Sequence, residues 1–421
     1  MESRTRRRFL EMLVAAASPL TAAAELPPVR TITRGPKHHW FGYYDKLQFD
    51  PSSRMVLGME VDFEHRSPRP DDVVRIGVVD TGDGDRWREL GASRAWGWQQ
   101  GCMLQWIPGS RTDVIWNDRA GDRFVSRVSN VATGETRTLP APVYTLSPDG
   151  AWAVRTNFAR LNDTRPGYGY VGLPDKRARA DAPNDDGLWR IDLATGEEKL
   201  LFSLADAARI PFEPPAEAVP RGVSAGLDLV RSKHWFNHLL VAPGGRRLIF
   251  LHRWRGRGEQ RYLTRMFTIA ADGSDPYILD PYGKTSHFIW RDAATVLAWA
   301  WHPTHQSAFY LYTDQTEKVE AIGLGVMTQN GHCTYLPGNR WILNDTYPDR
   351  KNREQHVYLY EVASGRRVPL GDFRSPPAYK GEWRCDTHPR FSPDGKKVCI
   401  DSPHTGDGRQ MHLIDISGIV A

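Results

Sequence analysis

The feature that most constrains this chain is a turn that recurs along its length. Each copy follows the form x-Pro-(Asp/Gly)-Gly-x or a close variant, and an apolar strand comes after it. Pro and Gly between two strands are typical of β-hairpins. Seven copies are present: FDPSSRMVLG from Phe49, WIPGSRTDVIW from Trp106, LSPDGAWAV from Leu146, VAPGGRRLIF from Val241, WRDAATVLAW from Trp290, LPGNRWIL from Leu336 and FSPDGKKVCI from Phe391.

A second element alternates with this turn. It is an apolar strand followed by a Thr/Ser-Gly turn or an equivalent, as in RVSNVATGETRTL and VYLYEVASGRRVPL, and it also occurs seven times. Two hairpins per unit and a period near 45 residues are typical of a four-stranded propeller blade. We therefore predict an all-β, seven-bladed β-propeller in which residues 29–33 complete the last blade. Two stacked β-sandwiches are the alternative, but they would not produce the alternation.

One interval between turns is longer than the others. The turns are about 40 to 57 residues apart, except between Pro148 and Pro243, where roughly 50 residues are added. Residues 160–233 are polar, rich in Pro, Asp and Arg, and contain one blade strand, LWRIDLATG. We predict a long insertion between blades three and four, with a short helix in LFSLADAARIPF, that serves as a lid or binding loop.

The N-terminus has the pattern of an export signal. TRRRFL at residues 5–10 fits the twin-arginine motif, and a short apolar run and several small residues follow it. We interpret residues 1–25 as a twin-arginine-type signal peptide and residues 26–421 as a single domain. Because no later run approaches about 20 apolar residues, we expect no membrane span in the mature chain and a periplasmic or secreted location. An uncleaved N-terminal anchor is the alternative.

Charge and cysteine content limit the partners only loosely. The net charge of +5, from 55 basic and 50 acidic residues, permits an anionic ligand. No basic tract with interleaved aromatic residues is present, so we do not expect nucleic-acid binding. We expect a monomer. The oxidising periplasm allows a disulfide among the four cysteines, but the sequence does not choose a pairing.

Polar residues in the strand before each turn are candidates for a central site. A propeller gathers the innermost strands of its blades around a channel, where ligands bind. The candidates for substrate contact are His39, Tyr44, Gln99, Gln100, His234 and Asn237.

Four consecutive blades place a histidine at nearly the same distance before the turn. Asp386 lies two residues before the last of them and therefore shares its strand face. Imidazoles with a carboxylate suit Zn²⁺ or Mn²⁺ better than Ca²⁺. Any one of these histidines alone is better explained as a packing residue, but four in register predict a shared polar site with a divalent metal. The histidines are His238, His287, His332 and His388.

A basic cluster lies in the segment LHRWRGRGEQRYLTRM. It belongs to the same blade as His238 and includes Arg253. The ordinary interpretation is a solvated hairpin face. The alternative is that Arg253 binds a substrate carboxylate, because guanidinium and carboxylate pair in a bidentate way.

The C-terminal half resembles oligogalacturonate lyase, a propeller lyase of uronic-acid glycans. THPRFSPDGKKVCIDSP is similar to the closing blade of that family, NGHCTYLPGN to a blade with another ligand histidine, and SHFIW to a further site blade. The resemblance implies that His332 and His388 are the best metal ligands. It places Asp386 where the family has a histidine, with His287 close by.

A looser likeness connects the chain to ulvan and rhamnose–glucuronate lyases, which are also seven-bladed. Their catalytic Tyr in blade three and the Arg sixteen residues later have the spacing of Tyr144 and Arg160. The chain departs from them in blade two, where WGWQQGC has glutamines in place of histidines. If the chemistry is shared, this likeness implies that the base is Tyr144 or a histidine from blades one or four. We predict His238 or Tyr144 as the base, with Arg160 and Arg253 on the carboxylate.

The expected activity is therefore β-elimination on a uronate-containing oligosaccharide or polysaccharide. A metal or Arg neutralises the carboxylate, and a His or Tyr removes the C5 proton. Two other functions stay open from the sequence: a non-catalytic propeller of the TolB type that binds a glycan or a protein, and a metal-dependent hydrolase.

Overall fold

The computed structural model describes residues 25–224 and 227–421 and has seven sheets of four antiparallel strands. The predicted signal peptide lies almost entirely outside these residues. The predicted seven-bladed β-propeller is confirmed. The first strand of the described residues is β1 (Val29–Thr31). Blade one is β2 (His38–Trp40), β3 (Met55–Val61), β4 (Val74–Asp80) and β5 (Arg86–Ser93). Blade two is β6 (Gln105–Trp106), β7 (Asp113–Ala120), β8 (Arg123–Asn130) and β9 (Thr136–Leu139).

The next blades repeat this arrangement. Blade three is β10 (Thr145–Leu146), β11 (Trp152–Arg155), β12 (Gly187–Asp192) and β13 (Glu198–Ser203). Blade four is β14 (Ser232–Val241), β15 (Arg247–Gly256), β16 (Leu263–Ala270) and β17 (Tyr277–Asp280). Blade five is β18 (Phe288–Trp290), β19 (Thr295–His302), β20 (Gln306–Thr313) and β21 (Val319–Ile322).

Blade six is β22 (Thr334–Tyr335), β23 (Trp341–Asn344), β24 (Glu354–Glu361) and β25 (Arg367–Arg374). Blade seven combines β26 (Arg390–Phe391), β27 (Lys397–Ser402) and β28 (Gln410–Asp415) with β1. The recurring turn explains the register of each hairpin. In SPDG of blade three, Gly150 has φ of 68° and donates its N–H to the Ser147 carbonyl over 2.9 Å. This left-handed conformation favours glycine.

The N-terminal strand closes the ring, as predicted. Val29 pairs with Ile414 and Thr31 with His412 in antiparallel register. A buried polar group reinforces this closure, because Glu64 after β3 accepts hydrogen bonds from Arg409 (2.7 Å) and from the Tyr379 hydroxyl (2.6 Å). The strands β1 and β28, which lie far apart in the sequence, are thus hydrogen-bonded within blade seven.

Aromatic side chains fill the contacts between blades. Trp40, Trp96, Trp98 and Trp116 lie in one buried cluster of blades one and two. Fully burying a large apolar side chain contributes roughly 1.5–3 kcal/mol. The sheets are therefore held by the side chains between them as well as by their ladders.

The insertion is divided differently from the prediction. Residues 156–186 lie inside blade three, between β11 and β12, and contain α1 (Phe158–Thr164). Residues 204–231 connect blades three and four and contain α2 (Leu204–Arg209), the predicted short helix. Two blade strands, β12 and β13, separate the segments, whereas the sequence had indicated one. A last short helix, α3 (Ser417–Val420), follows β28.

Two further features bear on the expectations. All four cysteines lie within the described ranges, and each is buried and free. No helix of those ranges has the length and apolar character needed to cross a bilayer.

Candidate functional site

The four histidines lie within or just before the innermost strands of blades four to seven. His238 is in β14, His287 directly precedes β18, His332 lies two residues before β22, and His388 lies two residues before β26. All four are buried. The register of the repeat therefore brings them to the same end of the ring.

One of these imidazoles, that of His332, contacts two of the others. The ring of His332 lies between those of His287 and His388, with a centroid distance of 4.2 Å to each. His238 is separated from this group by Tyr43, whose ring stacks on His238 at 4.9 Å and contacts His388 at 5.1 Å. The series is thus a group of three, with the fourth histidine beyond a tyrosine of blade one.

His332, Asp386 and His388 form a set of possible metal donors. One ligand atom of each lies within 4.8 Å of the others, and all three residues are buried. The Nε2 atoms of His332 and His388 have no hydrogen-bond partner in the described structure. A buried polar atom without a partner is costly, and two imidazole nitrogens facing a carboxylate suit Zn²⁺ or Mn²⁺. The residues present therefore fit a divalent metal.

Asp345 fixes the orientation of His332. Its Oδ1 lies 2.9 Å from His332 Nδ1 and also accepts the His332 backbone N–H over 2.7 Å. A carboxylate on one imidazole nitrogen leaves the other free to bind a metal. Burial alone would lower the pKa of His332, but the Asp345 carboxylate outweighs burial and raises the pKa.

The glycine of the sequence NGHC is explained by the same contact. A Cβ atom on Gly331 would lie 1.9 Å from the carbonyl oxygen of Asp345. Only glycine allows this close approach of the two chain segments. Gly331 therefore permits the Asp345–His332 pair.

His287 contacts the donor set but is not part of it. Its Nδ1 lies 2.9 Å from Asn330 Oδ1, and its Nε2 lies 3.4 Å from the Tyr347 hydroxyl. Burial and then the neighbouring His332 lower its pKa well below the usual value. His287 is predicted as a metal ligand. In the structure both of its ring nitrogens have hydrogen-bond partners, and its ring packs on His332.

Two site histidines have left-handed backbone conformations. The φ angle is 52° at His238 and 40° at His388. At His238 the register between β14 and β15 also shifts, which is a β-bulge. Such conformations cost about 1–3 kcal/mol each for residues other than glycine and often occur at functional sites. The backbone is thus bent where it directs these two imidazoles.

A polar network surrounds His238. The Tyr144 hydroxyl lies 2.9 Å from Gln100 Oε1 and 3.1 Å from Asn237 Oδ1, and it accepts the His238 N–H over 3.0 Å. Gln100 Nε2 lies 3.3 Å from His238 Nδ1. Burial raises the pKa of Tyr144 well above its usual value. The hydroxyl therefore keeps its proton, which is unfavourable for the predicted role as a base.

Close approach of two loops places Tyr43 beside this network. Gly42 has φ of 107°, and a Cβ atom there would lie 3.0 Å from the carbonyl carbon of Gln100. Tyr44 comes next, and its hydroxyl donates to the Phe288 carbonyl over 2.7 Å while its ring lies 5.4 Å from His332. Blade one thus covers the histidines of blades four to seven with two tyrosine rings.

Three guanidinium groups border the histidines. Arg253 is buried, its Nη1 has no partner in the described structure, and its Nε lies 3.3 Å from the Thr264 hydroxyl. Arg384 donates to Asp386 over 2.7 Å. Arg165 donates to the hydroxyls of Tyr262 and Tyr168, the latter over 3.1 Å. Burial is the largest influence on the pKa of His238 and lowers it, and Arg253 and Arg165 lower it further.

Some predicted site residues lie elsewhere. Arg160 of α1 donates to Asp175 (3.1 Å) and to the His234 carbonyl (2.6 Å), so its guanidinium holds the insertion against blade four and is not available to a substrate carboxylate. His39 bonds Glu60 and Gln410. His234 pairs with His252 over 2.8 Å. These contacts explain the three residues as structural.

Gln99, a predicted substrate contact, joins two loops near the site. Its Nε2 donates to the carbonyls of Glu382 (2.8 Å) and Arg384 (3.1 Å), so it ties the blade-two loop to the blade-seven loop. Its side-chain amide therefore holds the blade-seven loop that bears Arg384, and this nitrogen is not free for the predicted substrate contact.

Sequence reasoning missed five residues of the site. Asp345 directly follows the apolar segment WILN, and Tyr43 lies in FGYYD before the first recurring turn, so both are polar residues next to predicted strands. Tyr347 follows a strand without a turn motif. The others lie in the insertion, where RPGYGY was the available signal; they are Arg165 and Tyr168.

Comparison with known proteins identifies the fold. No protein-family model and no curated protein sequence matches the chain. Among solved structures, oligogalacturonate lyase from Vibrio parahaemolyticus is 12% identical, with a TM-score of 0.63 over 93% of this chain and 94% of that one. An oligogalacturonate lyase in complex with manganese is 15% identical, with a TM-score of 0.64 and the same coverage. The predicted resemblance to this lyase is confirmed, and at these identities it concerns the fold.

TolB from Acinetobacter baumannii also matches, at 12% identity and a TM-score of 0.37, over 83% of this chain and 78% of that one. This similarity is too low to bear on function.

Proposed function

We propose that the protein is a metal-assisted lyase that cleaves a uronate-containing oligosaccharide or polysaccharide by β-elimination. The observation that carries the proposal is the donor set His332, Asp386 and His388 together with the buried Arg253, whose Nη1 has no hydrogen-bond partner among the described residues. The oligogalacturonate lyase fold, and the manganese bound in one structure with that fold, support the same activity.

The charge around the site favours an anionic substrate. Asp386 offsets Arg384, and Asp345 offsets His332. Arg253 has no carboxylate partner among the described residues, since its Nε reaches the Thr264 hydroxyl and its guanidinium lies over the Tyr262 ring. A buried cation without a counter-charge is costly. A uronate carboxylate bound at Arg253 would supply that charge.

β-Elimination requires that the negative charge of the uronate carboxylate be neutralised. The C5 proton of a uronate is weakly acidic while its carboxylate stays charged, since removal of the proton places a second negative charge beside the first. His332, Asp386 and His388 would hold a divalent metal, whose positive charge would stabilise the developing carbanion. The free Nη1 of Arg253 adds a fixed donor in a water-poor place, where such a donor contributes most.

The remaining side chains position the imidazoles. The Tyr43 and Tyr44 rings are buried against them, and Gln100 and Asn237 are buried in the network of Tyr144 and His238. The predicted substrate contacts Tyr44, Gln100 and Asn237 therefore support the neighbouring histidines from within the protein.

We also propose export by the twin-arginine route, on the motif at residues 5–10.

Incubation with a panel of uronate oligosaccharides tests the proposal. A lyase produces a 4,5-unsaturated uronate, which absorbs in the ultraviolet, whereas a hydrolase or a binding protein does not. We expect this absorbance with manganese-loaded protein and its loss in His332→Ala. Hydrolysis products without the absorbance, or no product from any uronic-acid glycan, would contradict the proposed function.

A further inference from the structure

Tyr168 has an unusual set of hydrogen bonds. Its hydroxyl accepts from Arg384 over 2.6 Å and from Arg165 over 3.1 Å. In the described part of the chain it has no acceptor for its own proton. Its ring meets the His238 ring edge-on at a centroid distance of 5.7 Å. An oxygen held by two guanidinium groups favours the phenolate over the phenol.

The loop that bears Tyr168 is firmly held. It follows α1 inside blade three, and the Gly167 carbonyl accepts the N–H of Gln99 over 3.0 Å. Gly167 has φ of 91°, a conformation that favours glycine. Tyr170 is tied to Phe158 through its N–H over 3.2 Å. Tyr168 is therefore positioned by contacts to blades two and seven, although it lies in an insertion.

Several titratable groups surround Tyr168. Burial alone would raise its pKa, but the charges of Arg165 and Arg384 outweigh burial and lower the pKa to about 7, while Asp386 acts in the opposite direction. A base with a pKa near the working pH is best suited to proton transfer. The other groups that interact with it are Tyr43 of blade one, His238, Arg253 and Tyr262 of blade four, and His332 and Tyr347 of blade six.

The two alternative bases are less suited to this task. Tyr144 is a hydrogen-bond donor whose pKa burial raises. Both nitrogens of His238 face partners, Gln100 on one side and Tyr43 on the other, and burial lowers its pKa well below the usual value. Neither group combines a free lone pair with adjacent cations.

We propose that Tyr168, as a phenolate, is the general base that removes the C5 proton of the bound uronate. The C5 proton goes to the Tyr168 oxygen, the C5–H electron pair forms the C4=C5 double bond, and the C4–O bond breaks. Its electron pair leaves on the 4-oxygen, which takes a proton from water. The assignment rests on the proposed function, since it requires a uronate substrate.

The test combines spectroscopy with kinetics. Titration of the manganese-loaded protein by ultraviolet difference absorbance reports tyrosinate formation without any substrate. We expect a tyrosinate signal near pH 7 that is lost in Tyr168→Phe and kept in Tyr170→Phe, a matched tyrosine whose hydroxyl bonds Asn117 in the core. We also expect Tyr168→Phe to lower kcat by about 10²- to 10⁴-fold, with metal content unchanged.

The pH profile gives a second readout. kcat/KM should rise with pH through about 7, because the base must lose its proton. Arg165→Gln removes one cation, so this rise should move to a pH higher by about 1 unit. This variant keeps Tyr168 and so serves if Tyr168→Phe does not fold.

The outcomes separate the two proposals. Lyase activity with an unchanged kcat in Tyr168→Phe, or with no shift of the profile in Arg165→Gln, overturns the role of Tyr168 alone. A tyrosinate signal near neutral pH that survives in Tyr168→Phe overturns it as well. No activity of the wild type on any uronate glycan overturns the proposed function, and the role of Tyr168 with it.

Discussion

The Nδ1 atom of His332 lies 2.9 Å from Oδ1 of Asp345, and both side chains are almost fully buried. Thr387 donates to the second oxygen of the same carboxylate over 2.5 Å. The carboxylate is thereby held from blade seven as well as from blade six. It directs His332 Nε2 toward Asp386 and His388, so the geometry of the donor set depends on a residue that would not itself bind the metal.

Asp345→Asn should weaken metal binding without abolishing it. The amide keeps one acceptor for His332 but loses the charge, and such outer partners typically contribute 10- to 100-fold to affinity. Competition with a chelating dye would measure the loss. The matched control is Asp372→Asn, which alters an exposed Asp–His pair in the same blade, 2.6 Å from His356. Equal affinities for the two variants would contradict the role of Asp345.

Arg253→Gln should lower kcat/KM for a uronate oligosaccharide by about 10²- to 10³-fold. This is the range for removal of one buried donor that stabilises developing charge. Arg253→Lys should recover part of the loss, since it restores the charge but not the planar fork. Arg257→Gln makes the same charge change at an exposed position of the same hairpin. A comparable loss in Arg257→Gln would point to general electrostatic attraction.

Arg160→Met should destabilise the protein and leave its catalytic constants near those of the wild type. Removing one partner of a buried ion pair costs roughly 3–5 kcal/mol, because Asp175 is left buried and uncompensated. Chemical denaturation measures the loss, and the Arg160→Met/Asp175→Leu double variant should recover part of it. A large fall in kcat with unchanged stability would instead support a role for Arg160 in catalysis.

Glu64 should make the stability of the closed propeller depend on pH in acid. Burial alone would raise its pKa, but His38 and Arg409 outweigh burial and lower it from 4.5 to about 2. A lowered folded-state pKa contributes stability that is present above pH 4.5 and is lost as the pH falls through about 2. The contribution is on the order of 3 kcal/mol at neutral pH. Glu64→Gln should therefore be less stable than the wild type at pH 7, with the difference shrinking between pH 5 and pH 2. A constant difference would contradict this.

The fold could be predicted because each repeat depends on the residues of a local turn. Each Pro-Gly turn sets one hairpin, and the alternation of two hairpins sets the blade, so neither depends on distant contacts. The insertion has no such period. Its division by β12 and β13 therefore did not follow from the sequence, although the helix Leu204–Arg209 did.

The site could be predicted only where it follows the repeat. The histidines occupy equivalent positions of successive blades, so register alone brought His287, His332 and His388 together. Spacing along the chain did not reveal that Arg160 points into the insertion, because direction depends on the partners that α1 finds there. Tyr168 and Arg165 were missed for the same reason, since a loop without a period gives no register.

The central claim is that His332, Asp386 and His388 bind a divalent metal. Its most direct test is the metal-to-protein ratio of manganese-loaded, desalted protein, measured by mass spectrometry for the wild type and for His332→Ala/His388→Ala. We predict a stoichiometric metal in the wild type and none in the double variant, with circular dichroism unchanged. A wild type that retains no metal, or a double variant that retains as much as the wild type, would contradict the account.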